Sequence, residues 1–194
     1  IFLFFTQTAI FPSYMRRKII YFDHAAATPV DDRVLRAMEH HWRKEFANPS
    51  SLYSLGNAAR LAVDNARESI AKILGASGSE IIFNSGGTEA NNLGILGAAR
   101  ANRGEGIHIL ISAIERHAVL EPAMALKKEG FDVEILPVGR DGLIDPGQVQ
   151  SRLRPDTILV SVMLANNEIG TIQPIEEISK RIKILQSRNR PLFH

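Results

Sequence analysis

The sequence predicts an α/β fold, a mainly parallel sheet with helices on both faces. Three observations carry this. Strand-sized apolar runs alternate with amphipathic helical segments from residue 81 onward, the pattern of strands joined by crossover helices. Residues 157–164 are apolar almost without interruption, as a strand covered on both faces must be. Between Phe83 and Glu89 lies Asn84-Ser-Gly-Gly-Thr88, a glycine turn that joins a strand to a helix.

The elements follow in order. Residues 1–14 do not share the pattern of the rest. Their apolar runs lack a preceding positive region and a following small-residue cleavage site, so a signal peptide is a poor fit. Met15 is followed by Arg16-Arg17-Lys18 and a strand-like run at 19–22. Met15 is therefore expected to start the folded protein, with 1–14 a non-native or disordered extension. An amphipathic arm facing a membrane is the rival reading.

Residues 15–75 form a helical segment. Asp31 caps a helix reaching about Phe46, with Val34, Leu35, Met38 and Trp42 on one face. A loop rich in Asn, Pro, Ser and Gly covers 48–56. A second helix, roughly 57–74, is expected to bury Leu61, Ala62, Ala66, Ile70 and Ile73, and Gly75 sits where a left-handed cap is wanted.

Residues 76–194 carry the alternation. Strands are expected at 81–83, 107–111, 133–138 and 157–164, and helices at 89–100, 119–129 and from Pro174 to about Leu185. Asp145-Pro146 opens a shorter helix with a cap and a first-turn proline. Arg190-Pro-Leu-Phe-His194 reads as the start of a further strand. A buried parallel strand does not close a domain by itself, so the chain is read as truncated.

Composition bounds the function. A chain of 194 residues with 45% hydrophobic content can bury a core in one or two domains. A net charge of +2, without a basic stripe interleaved with aromatics, argues against nucleic acid as a partner. The absence of cysteine removes disulfides, thiolate metal sites and a cysteine nucleophile from this chain, and is compatible with the cytoplasm. No apolar run approaches a membrane span.

In a parallel sheet, ligands collect at the carboxyl ends of strands. Three polar clusters fall there: residues 84–92, Glu115-Arg116-His117, and Asn166-Asn167-Glu168. The glycine turn directs backbone N–H groups and the positive end of a helix into one small space, which suits a phosphate. Gly86 and Gly87 permit close approach, and Thr88 adds a hydroxyl donor. A turn that merely joins two elements is the plainer alternative. Other candidates are weaker. His40 and His41 are adjacent on a helix and lack a one-face metal spacing. Ser85, Ser112 and Ser161 have no nearby histidine and acid in triad logic, so a hydrolase is not expected. Lys72, Lys127, Lys128, Lys180 and Lys183 lie on predicted helices and read as solvated charges.

Five segments then occur in a telling order: Tyr21-Phe-Asp-His-Ala-Ala-Ala-Thr-Pro-Val30, Asn48-Pro-Ser-Ser51, Ser85-Gly-Gly-Thr-Glu89, Glu115-Arg-His-Ala-Val-Leu120 and Asn166-Asn-Glu-Ile-Gly170. This order resembles cysteine desulfurases of the NifS/IscS type, within the class V aminotransferase group of pyridoxal-phosphate (PLP) enzymes. The resemblance covers about residue 21 to the end of the chain. It implies part of a fold-type I, aspartate aminotransferase-like domain, with 15–75 contributing to the small domain and dimer region and 76–194 forming a partial PLP-binding large domain. It implies an enzyme that takes sulfur from L-cysteine as a persulfide, leaving alanine, for iron–sulfur cluster or thio-cofactor assembly. A homodimer and sulfur-acceptor or scaffold proteins are the implied partners. Gly87 and Thr88 would bind the cofactor phosphate, and Asn167 would stand beside the ring hydroxyl oxygen. Arg116 occupies the place of the family's ring-stacking histidine, with His117 as the alternative, and Ala27 stands where threonine is common. The Schiff-base lysine, the cysteine loop and the substrate-carboxylate arginine would lie beyond His194, so no catalytic residue is assigned to this chain. Two other readings are a related class V enzyme, such as a selenocysteine lyase or an aminotransferase-like protein, and a noncatalytic phosphate-binding α/β module. Against the module, no acidic residue ends a second strand to grip a ribose.

Because residues 1–14 fall outside the pattern, deleting them is expected to leave the thermal midpoint within about 2 °C of the parent, and a fall of several degrees would place them in the fold.

Overall fold

The computed structural model describes residues 20–184 and 190–194. The expectations for residues 1–14, for Met15 as a start and for Leu185 as the end of the last helix lie outside them. The described chain runs α1 (Asp32–Lys44), α2 (Ser54–Leu74), a 3-10 turn (Gly78–Glu80), α3 (Gly87–Ala101), β1 (His108–Ser112), α4 (His117–Lys128), β2 (Asp132–Leu136), α5 (Pro146–Arg152), β3 (Thr157–Ser161), α6 (Ile175–Ile184) and β4 (Leu192–Phe193). Local chemistry sets several boundaries. Asp31 accepts the Arg33 N–H at 2.7 Å and starts α1, and Asp145 accepts the Gly147 N–H at 2.8 Å ahead of the first-turn Pro146 of α5. Gly75 closes α2 at φ 66°, a conformation that a side chain disfavours.

The four strands form one sheet in the order β2-β1-β3-β4, with every pairing parallel. β1 and β3 lie at its centre and are buried along their whole length. Successive strand residues face opposite sides. Ile109, Ile111 and Val133 pack with Ile95 and Ala99 of α3 and with Val119, Ala123 and Leu126 of α4. Leu110, Leu136 and Val160 pack on the other side with Val149 of α5 and with Ile178 and Ile182 of α6. Each fully buried side chain of this size contributes roughly 1.5–3 kcal/mol. Among the described residues no helix is long and apolar enough to cross a membrane.

Between β1 and β3 the register skips a residue: His108 pairs with Thr157, but Ile109 pairs with Leu159. Ile158 is the extra residue of a β-bulge. This is why Ile158 and Leu159, neighbours in sequence, both join the cluster beneath α3 and α4.

At the amino end of the sheet His108 is fully buried. The Thr157 hydroxyl oxygen accepts the Arg154 N–H at 2.8 Å and lies 2.8 Å from His108 Nδ1. The Glu134 carboxylate only accepts, which puts the imidazole proton on Nε2, 3.3 Å from Glu134 Oε2, and leaves Nδ1 to accept the Thr157 hydroxyl proton. Arg152 pairs with the other Glu134 oxygen, and Arg154 pairs with Asp132 and Asp156.

Three expectations are corrected. Residues 81–83 form no strand. Ile82 is 65% exposed, Arg67 donates to the Ile81 carbonyl, and its guanidinium lies 4.9 Å above the Phe83 ring. The run is thus tied to α2, and no described strand offers it a ladder. The strand-like run before Asp23 is likewise exposed coil over its described residues, Ile20, Tyr21 and Phe22, with the Tyr21 hydroxyl donating to the Asp23 carbonyl at 2.7 Å. The expected burial on α2 also fails: Leu61 and Ile73 are 61% and 83% exposed, and the buried positions are Gly56, Ala59 and Ala71. Its apolar stripe is real, but no described element covers it, and the same holds for Val34, Leu35, Met38 and Trp42 on α1.

Burial, with the nearby Arg154 guanidinium second, holds the His108 imidazole below its ordinary pKa, against the opposing pull of Glu134 and Asp132. The unfolded chain therefore takes up this proton first, so stability present above about pH 6.5 is lost as pH falls below it. Urea unfolding at pH 7.5 and 5.5 is expected to show that loss in the parent protein and to show it diminished in His108→Gln; an unchanged slope in the variant would remove His108 as its source.

Candidate active site

The site begins at the turn before α3. Asn84 accepts the Gly86 N–H at 3.2 Å. Glu89 folds its carboxylate back onto the Ser85 hydroxyl and N–H, both at 2.6 Å. The hydroxyl contact is the larger cause holding that carboxyl below its usual range. Gly86 is fully extended on the positive side, at φ 158° and ψ −179°, and its carbonyl accepts the Ala90 N–H at 3.0 Å to close the first helical turn. The N–H groups of Gly87 and Thr88 have no acceptor within their own helix, because it has no residues before them to supply one. A Cβ added at Gly87 would meet nothing within 4 Å. Free amide donors, a positive helix end, a hydroxyl and open space are what a bound anion needs.

Two further loops meet this turn at the carboxyl edge of the sheet. One leads from β1 to α4 and carries Glu115, Arg116 and His117; the other follows β3 and carries Asn166, Asn167 and Glu168. Thr88, Glu115, Arg116, His117, Asn166 and Asn167 line a single cavity of about 540 Å³. Gly87 directly precedes Thr88 and is not itself in the wall. Arg116 caps α4 by position without a side-chain cap bond. The His117 side chain is 94% exposed, with Nδ1 3.8 Å from Glu121 of its own helix. The Asn167 amide reaches toward the Ala25 carbonyl at 3.5 Å, so the 21–30 segment borders the same region.

The loops are stitched together by two residues that sequence reasoning did not single out as site residues. Glu115 is buried, and its Oε1 accepts the Met163 N–H at 2.5 Å. Its own N–H donates to the Ser112 carbonyl at 3.4 Å. Burial outweighs the Met163 bond and the nearby Ser112 side chain, and pushes the carboxyl above its ordinary pKa. Asn166 donates to the Ile114 carbonyl at 3.1 Å, while its Oδ1 accepts the Glu168 and Ile169 N–H groups at 2.8 and 3.1 Å. That turn leaves Asn167 at its corner. The available signals were a carboxylate just past an apolar strand and a paired asparagine, and neither reveals its partner.

The structure also places the remaining candidates. Ser161 does have a histidine neighbour: its hydroxyl lies 2.9 Å from His194 Nδ1. The parallel pairing of β3 with β4 brings them together across 33 residues. Ser85 contacts a glutamate instead, and the Ser112 hydroxyl oxygen accepts the Ile114 N–H at 3.3 Å. None of the three is shown bonding both a histidine and an acid, and Ser112 and Ser161 are fully buried. His40 and His41 both reach Glu45, at 3.4 and 2.8 Å. Among the described residues no group of three or more His, Asp or Glu is placed to hold a metal ion. Lys72, Lys127, Lys128, Lys180 and Lys183 are all exposed.

Residues 20–187 match the family described as aminotransferase class-V. The cysteine desulfurase IscS of Dictyoglomus turgidum is 51% identical over 169 residues, covering 87% of this chain and 43% of that protein. The putative cysteine desulfurase IscS 1 of Bacillus subtilis is 51% identical over 175 residues, covering 90% and 45% respectively. Among solved structures, a NifS-like protein superposes with a TM-score of 0.85 at 39% identity, and DndA from Streptomyces lividans with 0.77 at 42%; each match covers 90% of this chain and 48% of the other. The chain thus spans less than half the length of these relatives, and its parallel α/β sheet is the fold-type I sheet of these structures. With the family matched from residue 20 to residue 187, the chain belongs to the class V aminotransferases.

Proposed function

We propose that this chain forms the phosphate- and ring-holding part of a PLP-dependent cysteine desulfurase. The observation that carries the reading is the meeting of Thr88, Arg116 and Asn167 around one cavity at the carboxyl edge of the sheet. The names of the relatives, cysteine desulfurase IscS, support the reaction class. So does the likeness to SspA, solved in complex with cysteine, at a TM-score of 0.82 and 41% identity.

The residues present fit the cofactor. The unclaimed N–H donors at Gly87 and Thr88, the Thr88 hydroxyl and the open space beside Gly87 form a donor set for a phosphate. Arg116 can lay its planar guanidinium on an aromatic ring, and its permanent charge means that it moves no proton. It takes the stacking role in preference to His117, whose side chain is almost wholly in solvent. Asn167 can donate its amide to a ring oxygen. Bound PLP supplies an electron sink for breaking bonds in an amino-acid substrate.

The substrate of the whole protein is L-cysteine, its product alanine, and the sulfur leaves on a thiol for iron–sulfur or thio-cofactor assembly. That thiol and the lysine that holds the cofactor come from outside this chain, which has no cysteine and only exposed lysines among its described residues. Residues 15–75 belong with the small domain and dimer region and 76–194 with the cofactor domain. The uncovered apolar faces of α1 and α2 agree with an interface in a homodimer.

Titration of the 194-residue chain with PLP, followed by cofactor absorbance, is expected to show reversible binding. Borohydride should trap no stoichiometric adduct, and cysteine should release no sulfide. Thr88→Ala is expected to weaken binding by on the order of 1.5–3 kcal/mol, the range for a charge-assisted hydrogen bond. Unchanged affinity would remove Thr88 from the site, and pyridoxal binding as tightly as PLP would overturn the phosphate role of the turn.

A further inference from the structure

The cavity has two ends of different construction. The phosphate end is built from neighbours in sequence: Asn84 on Gly86 and Glu89 on Ser85. The ring end is built from two loops that belong to different strands. Two ties run side by side between those loops, from the Met163 N–H to Glu115 Oε1 at 2.5 Å and from Asn166 Nδ2 to the Ile114 carbonyl at 3.1 Å. Glu115 is the one carboxylate buried among the described residues, and it directly precedes Arg116. Its own N–H donates to the carbonyl of Ser112, the last residue of β1, at 3.4 Å. The residue after Ser112, Ala113, donates its N–H to Leu136 at the end of β2, at 2.9 Å. Glu115 therefore gathers the ends of β1 and β3, with β2 tied alongside through the backbone.

A carboxylate is an expensive group to bury for packing alone, and an apolar side chain of similar size would fill the space without that cost. What an apolar side chain cannot do is accept the Met163 N–H. We propose that Glu115 is a positioning residue that fixes the separation between Arg116 and Asn167, and so the width of the slot for the cofactor ring. It acts through those two residues and leaves the phosphate turn alone. This rests on the PLP reading of the site given above.

The test compares two probes, PLP and inorganic phosphate, on the 194-residue chain and its variants by calorimetric titration. Inorganic phosphate reports only the turn at Gly87 and Thr88, while the excess affinity for PLP reports the ring slot. Glu115→Ala is expected to lower PLP affinity about tenfold, the lower end of the range for losing a partner that orients a ligand-holding group, with inorganic phosphate unchanged. Glu115→Gln keeps an acceptor for Met163 and is expected to retain PLP affinity within about twofold. Should Glu115→Ala fail to fold, Asn166→Ala severs the parallel tie from a half-buried position and is expected to show the same selective loss. Equal losses for both probes would reduce Glu115 to a general stabiliser, and an undiminished preference for PLP would also sink the proposal. A parent protein with no preference for PLP over inorganic phosphate would overturn the functional reading itself, and the positioning role with it.

Discussion

Everything in this molecule follows from burying β1 and β3 on both faces at once. A strand buried on one face needs a single cover; these two need two, and the chain meets that need with α3 and α4 on one side and α5 and α6 on the other. Crossover helices are what parallel pairing demands, because each strand must return to the same end before the next begins. The cost of that arrangement is a set of polar loops that cannot be buried. All those that leave a strand leave it at the same edge. The site is therefore a consequence of how the core is covered, and its residues gather without any local sequence that calls them together.

How much of this the sequence reveals depends on the range of the interaction. Elements whose signals are local are legible: the Asp31 and Asp145 caps, the Gly75 stop, the short helix after Pro146 and the buried run at β3. Of the three site clusters, those at 115–117 and 166–168 are legible as strand-end loops, whereas the one at 84–92 follows no described strand; Thr88, Arg116, His117 and Asn167 nonetheless meet at one cavity. What is not legible is set by partners. Residues 81–83 have strand composition, but a strand exists only where another strand pairs with it. The apolar faces of α1 and α2 announce a need for cover without saying what supplies it. The bulge at Ile158 changes the facing of one residue and leaves no mark on composition. The contacts of Ser161 with His194 and of Glu115 with Met163 span 33 and 48 residues, beyond any local pattern.

The two buried ionisable groups near strand ends have opposite characters. His108, at the amino end, is bonded to the Thr157 hydroxyl and to Glu134, and it joins a network of paired charges. Glu115, at the carboxyl end, accepts the Met163 N–H, and it borders the cavity. Burial disfavours the charged form of each, lowering one and raising the other. The amino end of the sheet is thereby locked by side chains paired with one another, while the carboxyl end keeps its polar groups where a ligand can meet them.

The span of the Glu115–Met163 contact also orders events in time. Joining positions 48 apart costs about 2 kcal/mol more chain entropy than the four-residue closure between Ser85 and Glu89. The anion turn needs only the first residues of α3 to be present. The ring slot has to wait until α5 has formed and β3 has docked beside β1. The contacts that shape the anion turn are thus complete in the chain some seventy residues before those that set the ring slot.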